Sequence, residues 1–174
     1  DKPLQQVKEE MATVSVQSYK RGVHNEKAQM RKEVTIEQAL SSFMVSTPLQ
    51  LHDCCPFSDG AAAVVLASED AVKRLAPKPV QIIGVGQASA GPLHSQAKTL
   101  PRIYSRELSV KQAYGMAGIG PKDIDVCELH DCFSIASLIA AESLGFFDYG
   151  KSGEAWMDGK ADIGGVVAIN PSGG

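Results

Sequence analysis

Cysteine is scarce, and what there is does not form a framework. Four cysteines (Cys54, Cys55, Cys127, Cys132) in 174 residues are too few to staple a chain of this size. The vicinal pair Cys54-Cys55 cannot easily bridge itself, so reduced thiols in a cytoplasmic setting are expected. The spacings, one adjacent pair and one pair with four residues between, miss the usual C-x2-C knuckle. Even with His52 and His130 in the sequence, no metal is expected. No apolar run approaches the roughly 18 residues of a membrane span, and no signal-peptide pattern opens the chain. A net charge of -3 with a pI near 5.8 gives no reason to expect nucleic acid or an anionic membrane as partner. Gly84 and Gly86 have no third glycine at dinucleotide spacing and no following Lys-Ser/Thr, which argues against a nucleotide loop. Internal repeats and low-complexity tracts are absent. Met is missing from the first position, and the chain closes on Pro171-Ser172-Gly173-Gly174 without a terminal helix or polar tail. A fragment of a longer protein is the expectation.

What is present is a soluble, globular composition, 44% hydrophobic and 21% charged, with apolar runs alternating with helical periodicity. Leu4, Val7 and Met11 have helical spacing, followed by a short extended piece over 13–16. The polar stretch 19–31, with Lys20, Arg21, His24, Lys27 and Arg31, reads as a solvated face or loop. Thr35 followed by Gln38 is a capping box. The unbroken run 61–67 suits a strand buried on both faces, and Ser68 caps the helix after it, to about Leu75. Pro77 and Pro79 mark a boundary. A second strand is expected over 80–88, a helix over 109–117 stopped by Gly118, a third strand over 124–129 and a buried helix over 134–144. The glycine-rich stretch 145–165 reads as a long irregular connection anchored by Trp156, ahead of a final strand at 166–169. His24 and His94 are expected at the surface. Strands alternating with helices make the chain α/β, with a layered, mixed sheet and a long loop region.

The stretch that draws attention chemically is Val126-Cys127-Glu128-Leu129-His130-Asp131-Cys132-Phe133-Ser134. A thiol and an imidazole sit where a strand hands over to a helix, and both the helix N-terminus and an imidazolium favour a thiolate. Local chemistry leaves two readings open: a nucleophile with its base, or a small buried hydrophobe. Cys127, on the strand, reads as a core thiol.

His130-Asp131-Cys132-Phe133, Asn170-Pro171-Ser172-Gly173-Gly174, Cys54-Cys55-Pro56-Phe57-Ser58-Asp59-Gly60 and His24-Asn25-Glu26-Lys27-Ala28-Gln29 occur in the order seen in thiolases. They resemble most closely the branch of sterol-carrier-protein-type thiolases and archaeal and bacterial acetyl-CoA acetyltransferases, over nearly the whole chain. The resemblance implies an incomplete thiolase-like layered fold. Residues 1–50 would belong to the CoA-binding loop region, 51–76 to the last strand and helix of the N-terminal half, and 77–174 to part of the C-terminal half.

The activity it implies is Claisen condensation or thiolytic cleavage of 3-ketoacyl-CoA. Coenzyme A thioester would be the substrate and no further cofactor is implied. Cys132 would be the acid/base, His130 a hydrogen-bond donor to the thioester oxygen, and Asn170 a border of the same pocket. Phe133 would wall the acyl site. Cys55 would lie near the pantetheine, and Asn25, Ser58, Gly173 and Gly174 would belong to the substrate-binding surface. Lys20, Arg21, Lys27 and Arg31 suit either the CoA phosphates or solvent. The family's nucleophilic cysteine lies in the first half of the fold, and neither Cys54 nor Cys55 occupies that position. The Gly-His-Pro and Cys-x-Gly segments of many thiolases are likewise not among these residues. Intact, the protein would form a homodimer or tetramer. Two other readings follow from the same resemblance: a non-catalytic subunit that binds acyl-CoA or a partner protein, and a thiolase-fold aldolase.

Overall fold

The computed structural model describes residues 2–75, 78–92 and 102–174; His94 and part of the proline boundary lie outside them. The chain opens with α1 (Leu4–Gly22), a single helix where the sequence predicts a break at 13–16. The β-branched Thr13, Val14 and Val16 have low helix propensity, but Met11, Ala12, Val14 and Ser15 are buried, and burial of that face outweighs it. Side chains also tie the middle of the helix down: Thr13 Oγ1 donates to Glu9 O (2.9 Å) and Ser15 Oγ to His52 O (2.7 Å).

α2 (Ile36–Ser41) begins with the expected capping box, Thr35 and Gln38 exchanging side-chain and backbone bonds. The short antiparallel β1 (Met44–Ser46) and β2 (Leu49–Gln50) lead into a 3₁₀ turn, Leu51–Asp53. α3 (Glu69–Leu75) follows Ser68, whose hydroxyl accepts from Ala71 N. α4 (Tyr104–Ala117) stops at Gly118, whose φ of 68° is the left-handed conformation that favours glycine. Then come β3 (Val126–Cys127), α5 (Ser134–Ser143), α6 (Ser152–Met157) and β4 (Ala168–Ile169).

Two predicted strands are not strands here. Residues 61–67 and 80–88 pair with no other strand among the described residues, and Val65 and Val80 are 94% and 95% exposed. A strand needs a neighbour to take its N–H and C=O groups; apolar sequence alone does not supply one. Gly84 and Gly86 instead cross α4 so closely that a Cβ at either would collide with the carbonyls of Ala113 and Ser109.

The core lies where α1, α5 and α6 meet β3 and β4: Met11, Val14, Leu138, Ala141, Trp156, Val167 and Ile169 are buried together. α5 has no exposed residue, as its all-round small and apolar sequence predicts. Trp156 corrects its reading as a loop anchor, because it sits on α6 inside the supposed irregular connection and is 2% exposed.

Arg21 is also corrected, being neither solvated nor open to a ligand. Its guanidinium is buried and donates to Asp162 Oδ1 (3.0 Å), Ala161 O (3.0 Å), Gln17 Oε1 (3.2 Å) and the Ile169 carbonyl. This ties the end of α1 to the approach to β4. Burial would raise the Asp162 carboxyl, but Ile163 N–H and Arg21 outweigh it and hold it below the usual range. A carboxylate depressed in the folded state contributes stability that is complete above its unfolded pKa, about 3.9. That stability is lost as pH falls through the lower folded value. The urea midpoint should therefore fall more steeply on acidification below about pH 4 in the wild type than in Asp162→Asn. Equal slopes would remove this pair as an acid-labile tie.

Candidate functional site

The parallel pairing of β3 with β4 sets the site. Val126 lies opposite Ala168 and Cys127 opposite Ile169, and Asn170 N donates to Cys127 O (2.7 Å). This register carries the loop after β3, with His130, Asp131 and Cys132, to the turn after β4, with Asn170 to Gly174. Asn170 holds the two together: it is 2% exposed, has φ 48°, and its Oδ1 accepts Leu129 N at 2.7 Å. Asn tolerates that left-handed conformation better than most residues. Glu128 adds a second clasp, accepting from Ser172 N (3.1 Å) and Ser172 Oγ (2.7 Å), while Asn25 Nδ2 donates to Ser172 O (2.9 Å). Gly173, at φ 121°, packs on the end of α1, where a Cβ would lie 3.0 Å from Gly22 Cα. Both the conformation and the space require glycine there.

The other wall is the segment after the 3₁₀ turn. Cys54 and Phe133 form an antiparallel bridge, and Cys55 N donates to Cys132 O at 3.1 Å. Asp53, buried, accepts from Gln50 N (2.9 Å) and from Ser134 Oγ (2.7 Å) on the first turn of α5. Between these walls and α1 lies a cleft of about 890 Å³. Asn25, Cys55, Ser58, Gly173 and Gly174 line it, together with Asp131. His130, Cys132, Phe133 and Asn170 do not line it, but belong to the loop and turn that form its edge. Phe133 is 39% exposed and His130 is exposed. No group of three or more His, Cys, Asp or Glu suited to a metal exists among the described residues.

Several site residues went unremarked in the sequence. Asp131 is half-buried, and burial raises its carboxyl against the pull of the Ser137 hydroxyl, the Asn170 amide and His130. Ser137 Oγ donates to its Oδ2 at 2.7 Å. His52 meets Tyr19 edge-on, Nδ1 lying 3.1 Å from the phenol oxygen. Burial and Lys32 hold the imidazole below its usual value against the opposite influence of Asp53. Burial, Asp53 and Cys55 push the Cys54 thiol up. Burial, with Glu128, pushes Cys127 up to about 11, which suits its reading as an inert core thiol. Arg106 on α4 has a buried Nη1 with no partner among the described residues; burial lowers its pKa, with Cys132 and Cys127 acting the other way. Adjacency to Cys54 and Cys132 was a usable signal for His52, Asp53 and Asp131. Nothing in the sequence points to Arg106.

Arranged this way, a half-buried thiol, an exposed imidazole and an Asn-anchored glycine turn border one open cleft. Acetyl-CoA acetyltransferase of Methanothermobacter thermautotrophicus is 41% identical over 96% of this chain and 44% of its own length. Benzoylsuccinyl-CoA thiolase subunit BbsB of Thauera aromatica is 36% identical over 95% of this chain and 43% of its own. Human sterol carrier protein 2 is 34% identical over 95% of this chain and 31% of its own. The chain thus spans less than half the length of these relatives. A solved Ltp2-ChsH2(DUF35) aldolase superposes with a TM-score of 0.88 at 31% identity, covering 96% of this chain and 45% of that one. Residues 86–174, half of the chain, match the family model described as thiolase C-terminal domain-like, and the chain belongs to the thiolase superfamily.

Proposed function

We propose that this chain supplies the acid/base half of a thiolase-type acyl-CoA acyltransferase active site. The observation that carries the reading is the junction of Cys54-Cys55 with Cys132-Phe133 beside the Asn170 turn. It gathers motifs far apart in sequence around one cleft. In the thiolytic direction, the Cα–Cβ bond of a 3-ketoacyl-CoA breaks and the acyl group passes to a nucleophilic thiolate. That nucleophile comes from a segment outside these residues. The departing acetyl-CoA enolate takes a proton from the Cys132 thiol. The thiol of an incoming CoA then gives its proton back to the Cys132 thiolate and attacks the acyl thioester, whose bond to the nucleophilic cysteine breaks and releases that thiolate. His130 donates to the thioester oxygen as enolate charge develops, a contact worth about 3 kcal/mol in other enzymes. Phe133 walls the acyl group. Cys55, Ser58, Asn25, Gly173 and Gly174 border the pantetheine, and Asn170 fixes the turn that carries the last two. Coenzyme A thioester is the substrate, no further cofactor takes part, and the intact protein is a cytoplasmic homodimer or tetramer.

The likeness to the solved aldolase favours a second reading, carbon–carbon cleavage in the same cleft without acyl transfer to cysteine. Acetyl-CoA incubated with the full-length protein separates the two. Acyltransferase action leaves an acetyl thioester on one cysteine and releases an equivalent of CoA. If no thioester forms and no CoA appears, the first reading fails.

A further inference from the structure

The vicinal thiols Cys54 and Cys55 have no part in the proton transfer above, yet the backbone of Cys55 is bonded to that of Cys132. Cys54 (φ -111°, ψ 138°) and Phe133 (φ -141°, ψ 148°) are both extended and form the antiparallel bridge. With Cys55 N bonded to Cys132 O at 3.1 Å, the register one residue further on sets Cys55 directly opposite Cys132. Residues opposite each other in a hydrogen-bonded antiparallel pair have Cα atoms about 5.5 Å apart and side chains on one face of the ribbon. That separation lies within the roughly 4.4–6.8 Å a disulfide spans. Side chains alternate along an extended segment, so Cys54 faces the other way, and its Sγ donates to Gln50 O at 3.5 Å. Cys55 is exposed and Cys132 half-buried, so an oxidant can reach the pair from solvent.

We propose that Cys55 and Cys132 form a reversible oxidative cross-link when the protein meets a peroxide. One thiolate attacks the peroxide O–O bond, giving a sulfenic acid and releasing hydroxide or alkoxide. The second thiol then attacks the sulfenic sulfur, the S–S bond forms and water leaves, so the peroxide is reduced as two thiols are oxidised. A dithiol reductant reverses the bond by exchange. The cross-link stands on geometry alone; its consequence, loss of acyl transfer while Cys132 is tied up, rests on the role proposed for Cys132.

The test treats full-length protein with hydrogen peroxide, digests it without reduction and maps linked peptides by mass spectrometry. Expected is a Cys55–Cys132 peptide pair lighter by two hydrogens, cleaved by dithiothreitol. It should be lost in Cys55→Ser and Cys55→Ala and kept in Cys54→Ser. Linkage of Cys132 to any other cysteine, linkage of Cys54 in place of Cys55, or oxidation of Cys132 without linkage overturns the proposal. Activity is read on the same samples, each against its own unoxidised control. A mapped cross-link accompanied by dithiothreitol-reversible loss of acyl transfer supports both proposals. A mapped cross-link with acyl transfer intact upholds the oxidation site and overturns the role of Cys132.

Discussion

Replacing Trp156 with alanine is expected to lower the unfolding free energy by about 3–5 kcal/mol, the range for removing a large buried aromatic from a core that collapses only partly. The indole is 2% exposed and packs among Met11, Val14, Leu138 and Ala141. Phe147 meets it edge-on with ring centroids 6.1 Å apart. The backbone of the same residue accepts Gln17 Nε2 at 3.1 Å, so α6 is held to α1 by side chain and main chain together. Loosening α6 also loosens the segment running from Lys160 and Ala161 to Ile169, which is bonded through Val167 N to Lys160 O and Ile169 N to Ala161 O. That segment delivers Asn170 to the site. Urea denaturation followed by circular dichroism checks the cost, since the only Trp is lost with the substitution. Trp156→Phe should recover part of it. A loss under about 1 kcal/mol in Trp156→Ala would mean that the three helices do not share one core.

The contrast between Thr35 and Val65 explains which parts of the fold were legible. A capping box is decided by side chains three residues apart, and Thr35 and Gln38 form it as read. The Gly118 stop and the small-residue face of α5 are local in the same way. Val65 and Val80 sit in apolar runs whose burial depends on a partner strand elsewhere in sequence, and periodicity does not encode that partner. α1 shows the reverse error, since Val14 and Val16 looked extended until tertiary packing decided otherwise. Arg21 was misread because a guanidinium in a basic stretch looks solvated, whereas its acceptors lie about 140 residues away, at Ala161 and Asp162. At the site, resemblance to thiolases named Cys132, His130 and Asn170. It did not reveal the Asp53–Ser134 bond that ties the 3₁₀ turn to α5, or the Asp131–Ser137 bond that ties the Cys132 loop to it. Those bonds join residues whose types are ordinary and whose pairing only the fold creates.

Cys132→Ala in the full-length protein is expected to lower kcat by about 10²–10⁴, the usual contribution of a positioned proton donor, equivalent to about 3–5 kcal/mol of transition-state stabilisation. KM should change little, because in the proposed role the Cys132 thiol acts on the α-carbon of the departing enolate and does not anchor the CoA moiety. Cys132→Ser is the sharper variant. A hydroxyl fills nearly the same space and keeps Cys132 O, the acceptor of Cys55 N, where it is. Its pKa, however, is far from that of a thiol, so it restores the packing without the proton transfer. The two substitutions should therefore lose activity to a similar degree while melting within a few degrees of the wild type. A readout specific to the role is solvent exchange at the acetyl methyl group of acetyl-CoA. Wild-type protein in deuterium oxide should incorporate deuterium there, and both variants should lose that incorporation in step with kcat. If Cys132→Ser keeps exchange and turnover within about threefold of wild type, the proton is carried by another group. Asp131 then becomes the candidate, because it lines the cleft and burial raises its carboxyl. Asp131→Asn, which keeps an acceptor for Ser137 Oγ but gives up the titrating proton, would identify it.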